Sequence, residues 1–253
     1  MILETIDLNK RFGGVTAVVD FSLKLPPGAI FGIIGPNGAG KTTIFNLISG
    51  IYRPDSGKII FQGSDITGLE QHQIARKGIG RTFQNIRLFR GLTVLENVLV
   101  ALDPGAPYGL GESLLSTPRK FKIEKSLRER ARHYLNIVGL DKFRDLAPES
   151  LPYGLRRKLE IARALATEPQ VLLLDEPAAG LNPSEVRELI SLISDLNGNQ
   201  ALSILLIEHR MEVVMQLCQC IYVQNFGRTL AIGPPAEIQR HPEVIKAYLG
   251  EEE

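Results

Sequence analysis

The chemistry this sequence can do is concentrated in Gly35, Pro36, Asn37, Gly38, Ala39, Gly40, Lys41, Thr42 and Thr43. The stretch from Gly35 to Thr42 fits glycine, four free positions, glycine, lysine and serine or threonine, the pattern of a phosphate-binding loop. Glycines let backbone N–H groups turn toward an anion, and a helix N-terminus behind them adds about half a positive charge. Lys41 is expected to reach the β- and γ-phosphates of a nucleotide, and the Thr42 hydroxyl to bind Mg²⁺. Asp175 closes the apolar run Val171-Leu172-Leu173-Leu174, where a Mg²⁺-holding acid belongs, with Thr42 and Gln84 as companion ligands. Glu176 comes directly after it and is the candidate general base for an attacking water. His209, after the run ending at Ile207 and Glu208, is placed to hold the γ-phosphate and that water in line, with a structural histidine as the alternative. Gln84 ends the stretch that begins at Ile79, and is either a crevice-facing site residue or a turn residue.

Parallel strands with their carboxyl ends together would bring these groups to one place. Ala29–Ile34, before the loop, reads as a buried strand, and Thr42–Ile48, after it, as a helix. The apolar run into Asp175 implies a central parallel strand covered on both faces. Ala201–Ile207 reads as another buried strand. Strict alternation in Phe21–Leu25 and a short strand at Lys58–Phe61 point to an antiparallel N-terminal layer. Ile79–Gln84 reads as a strand after a helix over roughly 70–76. Helical periodicity runs over Val94–Ala101 and Ile123–Val138, around a proline- and glycine-rich loop at Asp103–Gly111. Further helices are expected from Pro152 to about Thr167 and from Pro183 to about Leu196. A hairpin is expected near Phe226-Gly227-Arg228, and Glu251-Glu252-Glu253 reads as frayed. Arg156, Arg157, Lys158 and Arg163 lie mostly off the apolar face of the helix after Pro152. They serve either anions or a partner, or simply a solvated face. Phe12, before Gly13-Gly14, is either a base-stacking ring or a core aromatic.

The expected fold class is α/β: a phosphate-loop NTPase core with a mostly parallel sheet, an N-terminal antiparallel β subdomain and an inserted α-helical subdomain. One domain spans 1–253, with 1–85 and 161–253 forming the nucleotide-binding core and 86–160 the helical insertion. A net charge of +1 among 253 residues leaves no footprint for nucleic acid. No run of about 20 apolar residues reads as a membrane span, and the acidic start of the chain does not resemble a signal peptide, so a cytoplasmic location is expected. Cys218 and Cys220 sit in an apolar segment with no further cysteine to complete a metal site, and read as small hydrophobes.

Taken in order, Phe12, the loop 35–42, Gln84, Leu151-Pro152-Tyr153-Gly154-Leu155, the strand into Asp175-Glu176, Ala179-Gly180-Leu181-Asn182 and His209 resemble the ATPase subunits of ABC transporters. The resemblance covers essentially the whole chain. Gly80–Phe89, Leu159–Thr167, Ala178–Pro183 and Ile245–Gly250 are similar to the LivG-type ATPases of bacterial branched-chain amino acid importers. This resemblance implies ATP and Mg²⁺ as cofactors, Phe12 stacked on adenine, and Gln84 sensing the γ-phosphate and Mg²⁺. It also implies Glu176 as catalytic base and His209 as switch. Two ATPase subunits would sandwich ATP head to tail, the second either a different chain or another copy. Pro152, Tyr153, Gly154 and Leu155 of each chain would then cap the ATP on its partner's phosphate loop. Ile86, Leu88, Phe89 and Leu92 would form a socket for one of two membrane-spanning permease subunits, at the cytoplasmic face of the inner membrane. A solute-binding protein would be engaged only indirectly, and no nucleic acid.

Two departures stand out. The common signature Leu-Ser-Gly-Gly-Gln is here Leu-Pro-Tyr-Gly-Leu, so Pro152 lacks the serine hydroxyl and Leu155 the amide. Arg210 follows His209 where that family often has aspartate. Other readings are an ATPase for another cargo (urea, amides or an exported lipid), a soluble non-transport ABC ATPase, and a scaffold without hydrolysis. The single phosphate loop and absence of a heptad run argue against the soluble class, and Glu176 and His209 argue against the scaffold.

Overall fold

The computed structural model of the protein describes residues 1–102, 118–200 and 202–249. The expected loop at Asp103–Gly111 and the expected frayed end at Glu251–Glu253 lie outside the described residues. Two compact units divide the chain, Met1–Gln84 with Pro169–Glu253 and Asn85–Glu168. The second boundary falls beyond 160 because the helix Tyr153–Ala166 stays whole.

The first unit contains two sheets. Strands β1 (Leu3–Phe12), β2 (Val15–Leu25), β4 (Ser56–Phe61) and β5 (Ser64–Asp65) form an antiparallel sheet in the order β2-β1-β4-β5. In β2, Phe21, Leu23 and Leu25 are buried while Ser22 and Lys24 are exposed, as the alternation requires. The second sheet has the order β10-β9-β3-β8-β7-β6. Its members are β3 (Ile30–Ile34), β6 (Ile79–Arg81), β7 (Val171–Asp175), β8 (Ser203–Ile207), β9 (Cys220–Asn225) and β10 (Arg228–Gly233). All neighbours in it are parallel except β9 and β10, which form a hairpin. β7 lies between β8 and β6 and is buried at every residue, which explains its uninterrupted apolar run. Ile44, Phe45, Leu47 and Ile48 of the helix after β3 join Leu3, Phe21, Leu173 and Leu205 in one core cluster.

β6 is shorter than the sequence suggests. It ends at Arg81, so Gln84 belongs to the chain beyond the strand. The loop leaving β3 is crowded. Gly35 has φ +146°, and a Cβ there would lie 2.0 Å from the Gln224 carbonyl oxygen. Gly35→Ala is therefore expected to lower stability by about 2 kcal/mol or more, read as a fall in thermal midpoint.

In the second unit, helices Val94–Leu102, Pro118–Ile137 and Tyr153–Ala166 pack on one another. Val98, Ala131, Leu135, Leu159 and Ala162 are fully buried there. The described part of the long helix runs from Pro118, earlier than its periodicity suggests.

Candidate active site

The helix Lys41–Ile48 starts from Gly40, whose φ of +97° is left-handed and which caps the helix with no side chain. Its first turn carries no acidic residue, so the N–H groups and their partial charge face the loop unopposed. Lys41 is buried, and its Nζ donates to the carbonyls of Gly35 and Pro36 at 2.7 Å each. The side chain thus braces the loop from inside. A cavity of about 360 Å³ is lined by residues 37–43 with Gln84, Glu176, His209 and Phe226. Gly35 and Pro36 are buried and are not among its lining residues.

Three of the expected site residues meet at one carboxylate. Gln84 Nε2 donates to Glu176 Oε2 at 2.9 Å, and His209 Nε2 lies 3.1 Å from Glu176 Oε1. Asp175 and Glu176 diverge because Glu176 has φ +48°, which turns its side chain out of the strand line. Asp175 stays buried, with Arg81 Nη2 at 3.0 Å from Oδ2. Thr42, Gln84 and Asp175 offer only oxygen donors, the set that a hard cation such as Mg²⁺ prefers. Thr42 and Gln84 line the cavity and Asp175 adjoins Glu176, so the donor set fits that ion.

Phe12 is found neither in the core nor among the cavity residues. It is 41% exposed, edge-on to Tyr52 with ring centroids 5.1 Å apart, and Lys10 Nζ lies 5.5 Å from its ring. Phe226, at the tip of the β9–β10 hairpin, is the aromatic that lines the cavity.

The positioning roles of three residues escaped the sequence reading. Glu208 is buried at the end of β8 and accepts the N–H groups of Ala178, His209 and Arg210 at 2.7, 3.0 and 3.1 Å. It therefore fixes the backbone that carries His209 to the segment after Glu176. The available signal was an acidic residue between an apolar strand and the histidine. Arg210 donates to the Leu181 carbonyl at 2.7 Å, holding the Ala179–Asn182 segment, which gives this departure a structural role. Arg81 is the third. Asn182 caps the next helix: its Oδ1 accepts from Ser184 and Glu185 N–H groups at 3.0 Å each, and Glu185 Oε2 accepts the Asn182 N–H, a capping box.

In the second unit, Pro152 stands at the N-cap of Tyr153–Ala166 and supplies no side-chain cap. Tyr153 is exposed and its hydroxyl accepts from Arg157 at 3.1 Å. Gly154 is buried and Leu155 half-buried. A uniformly solvated basic face is not what forms. Arg157 is 1% exposed and paired with Glu160 at 3.0 Å, a spacing of three that closes on one helix face. Burial pushes the Glu160 carboxyl above its ordinary value, against the pull of the Arg87 N–H and of Arg157. Arg163 stacks on Phe89, 4.7 Å from its ring, and donates to the Arg87 carbonyl. Phe89 is 44% exposed, while Ile86, Leu88 and Leu92 are half-buried. The buried Asn97 amide clamps both the N–H and the carbonyl of Phe89, at 2.8 and 3.1 Å. Cys218 is buried and Cys220 half-buried, both free, and burial pushes the Cys218 thiol up to about 12, as expected of an inert hydrophobe.

Residues 18–179 match the family described as ABC transporter, and residues 228–253 match the family described as branched-chain amino acid ATP-binding cassette transporter. The chain is 47% identical over 99% of its length to the high-affinity branched-chain amino acid transport ATP-binding protein LivG of Escherichia coli K12, and covers 98% of it. The same identity and coverage hold for the high-affinity branched-chain amino acid transport ATP-binding protein BraF of Pseudomonas aeruginosa. Among solved structures, the ADP conformation of an ATP-binding cassette of an ABC transporter superposes with a TM-score of 0.85 at 31% identity, over 98% of both chains.

Proposed function

The chain belongs to the ABC transporter family of ATP-binding proteins, and from that premise we propose that it is the ATP-hydrolysing subunit powering import of branched-chain or other hydrophobic amino acids. The observation that carries hydrolysis is the Glu176 carboxylate, contacted by Gln84 and His209 beside the phosphate loop. A carboxylate so held is oriented to take a proton from water, with His209 next to the same water and the γ-phosphate. Lys41 and the N-terminus of its helix bind the phosphates, and Phe12 stacks on the adenine. Thr42, Asp175 and Gln84 hold Mg²⁺, which when bound neutralises phosphate charge. The cargo follows from the relatives named for branched-chain amino acid transport and from the matching C-terminal segment.

In this reading the chain works head to tail with a second ATPase subunit, a different chain or a second copy. Its residues 152–155 cap the partner's ATP. No helix among the described residues is long and apolar enough to cross a membrane. Attachment to the cytoplasmic face of the inner membrane then runs through two permease subunits, received at Ile86, Leu88, Phe89 and Leu92. A solute-binding protein delivers cargo from the far side, and nucleic acid has no part. Pro152→Ser restores a hydroxyl for the phosphate and an N-cap for its helix. One charge-assisted bond is worth about 1.5–3 kcal/mol, so ATP affinity or turnover of the full complex should rise about tenfold or more. Unchanged kinetics would mean that Pro152 does not weaken the cap.

The test is to purify the tagged chain with its membrane partners and measure which ligand their solute receptor binds. Permease subunits whose receptor binds leucine, isoleucine or valine are expected. A receptor that binds urea, amides or a lipid and no amino acid would overturn the cargo.

A further inference from the structure

Arg81 ends β6 directly beside the last residues of β7, its neighbour in the sheet. Its guanidinium reaches the side chains of Asp175, Asn46 and Ser49. Nη2 donates to Asp175 Oδ2 at 3.0 Å, and Nη1 donates to Asn46 Oδ1 at 2.8 Å and to Ser49 Oγ at 2.7 Å. Asn46 belongs to the helix that begins at Lys41, and Ser49 is its C-cap. The rings of Phe45 and Phe83 lie 5.6 and 5.2 Å from the guanidinium carbon. The Arg81 and Asp175 side chains are only 5% and 2% exposed. A buried cation is thus oriented on the carboxylate that closes β7, and tied to the helix that follows the phosphate loop.

We propose that Arg81 is a positioning residue that acts as the resident counter-ion of Asp175, letting the phosphate loop accept nucleotide before Mg²⁺ is bound. The inference rests on the reading of Gly35–Thr43 as a nucleotide site. Without a counter-ion, the Asp175 carboxylate would add its charge to that of the entering phosphates, in an interior where like charges repel strongly. Arg81 cancels that charge and holds the carboxylate in place. The planar fork of arginine does this while its remaining donors keep the helix in register. Nucleotide and metal binding are thereby weakly coupled. Removing Arg81 makes nucleotide affinity depend more strongly on the metal, because Mg²⁺ then has to supply the charge that Arg81 sets against Asp175.

The experiment measures the affinity of a fluorescent ATP analogue in EDTA and in Mg²⁺, with thermal melting of each protein. The variants are Arg81→Lys, Arg81→Gln, Asp175→Asn and the double variant Arg81→Gln/Asp175→Asn. In Arg81→Gln the ratio of the EDTA to the Mg²⁺ dissociation constant should rise about tenfold or more. Arg81→Lys, which keeps the charge, should hold the ratio within about threefold of the parent. The double variant removes both charges of the pair, and is expected to fold even if Arg81→Gln does not. In EDTA it should recover the affinity that Arg81→Gln loses, and Asp175→Asn, which leaves the Arg81 charge unopposed, should bind at least as tightly as the parent. A purely structural Arg81 would shift melting without moving the ratio, and an unchanged ratio in Arg81→Gln overturns the proposal. So does loss of EDTA binding in the double variant. A parent protein that binds no nucleotide in either condition would overturn the nucleotide-site reading itself, a different failure.

Discussion

Glu176→Gln is expected to leave ATP bound and to lower its hydrolysis by about 10²–10⁴-fold, the usual contribution of a positioned general base. The substitution keeps the shape of the side chain and one oxygen acceptor, so Gln84 and His209 retain a partner at that position. What is lost is the basic oxygen. The carboxylate now takes the Gln84 amide on Oε2 and meets His209 at Oε1, so its orientation is set by two side chains from separate segments. Phosphate release by the transporter complex, alongside nucleotide binding, separates the two effects. A variant that hydrolysed ATP at the parent rate would exclude Glu176 as the base.

Lys41→Met should weaken nucleotide binding by about 100-fold or more, since each hydrogen bond from a charged donor to phosphate is worth about 1.5–3 kcal/mol. The buried ammonium is held on the Gly35 and Pro36 carbonyls, both within the loop it would serve. Methionine keeps the apolar stem and removes the charge. The loop then loses its internal brace as well as its phosphate contact. Titration with labelled ATP reads the first loss, and thermal melting with and without ATP the second. Parent-like affinity would mean that the phosphates bind elsewhere.

Local patterns in the chain carried much of the architecture. The apolar run into Asp175 marks a strand covered on both faces, and β7 occupies an interior place between β8 and β6. The glycine loop before a helix is equally local, as is the capping of the helix after Asn182. The contact of Gln84 with Glu176 is not local. It requires β6 to lie next to β7, although 89 residues separate the end of one from the start of the other, a neighbourhood set only by the folded sheet. Charged residues misled most. Arg157 was expected to serve an anion, a partner or a solvated face, and Arg81 carried no expectation beyond its strand, yet each is buried where a carboxylate meets it, Glu160 within the same helix and Asp175 across the sheet. The first was legible as a spacing of three, and the second was not. Phe12 shows a limit of another kind, since a glycine-flanked aromatic says nothing about which neighbour takes its ring, here Tyr52.

ATP-driven uptake of labelled leucine tests the central claim most directly. The full transporter, with this chain as one ATPase subunit, would be placed in liposomes with ATP on this chain's side. Leucine should accumulate only when ATP is present, and accumulation should stop when Glu176→Gln replaces the parent chain. Leucine uptake that continued unchanged with Glu176→Gln would contradict the claim, as would steady ATP hydrolysis by the complex with no uptake of any branched-chain amino acid.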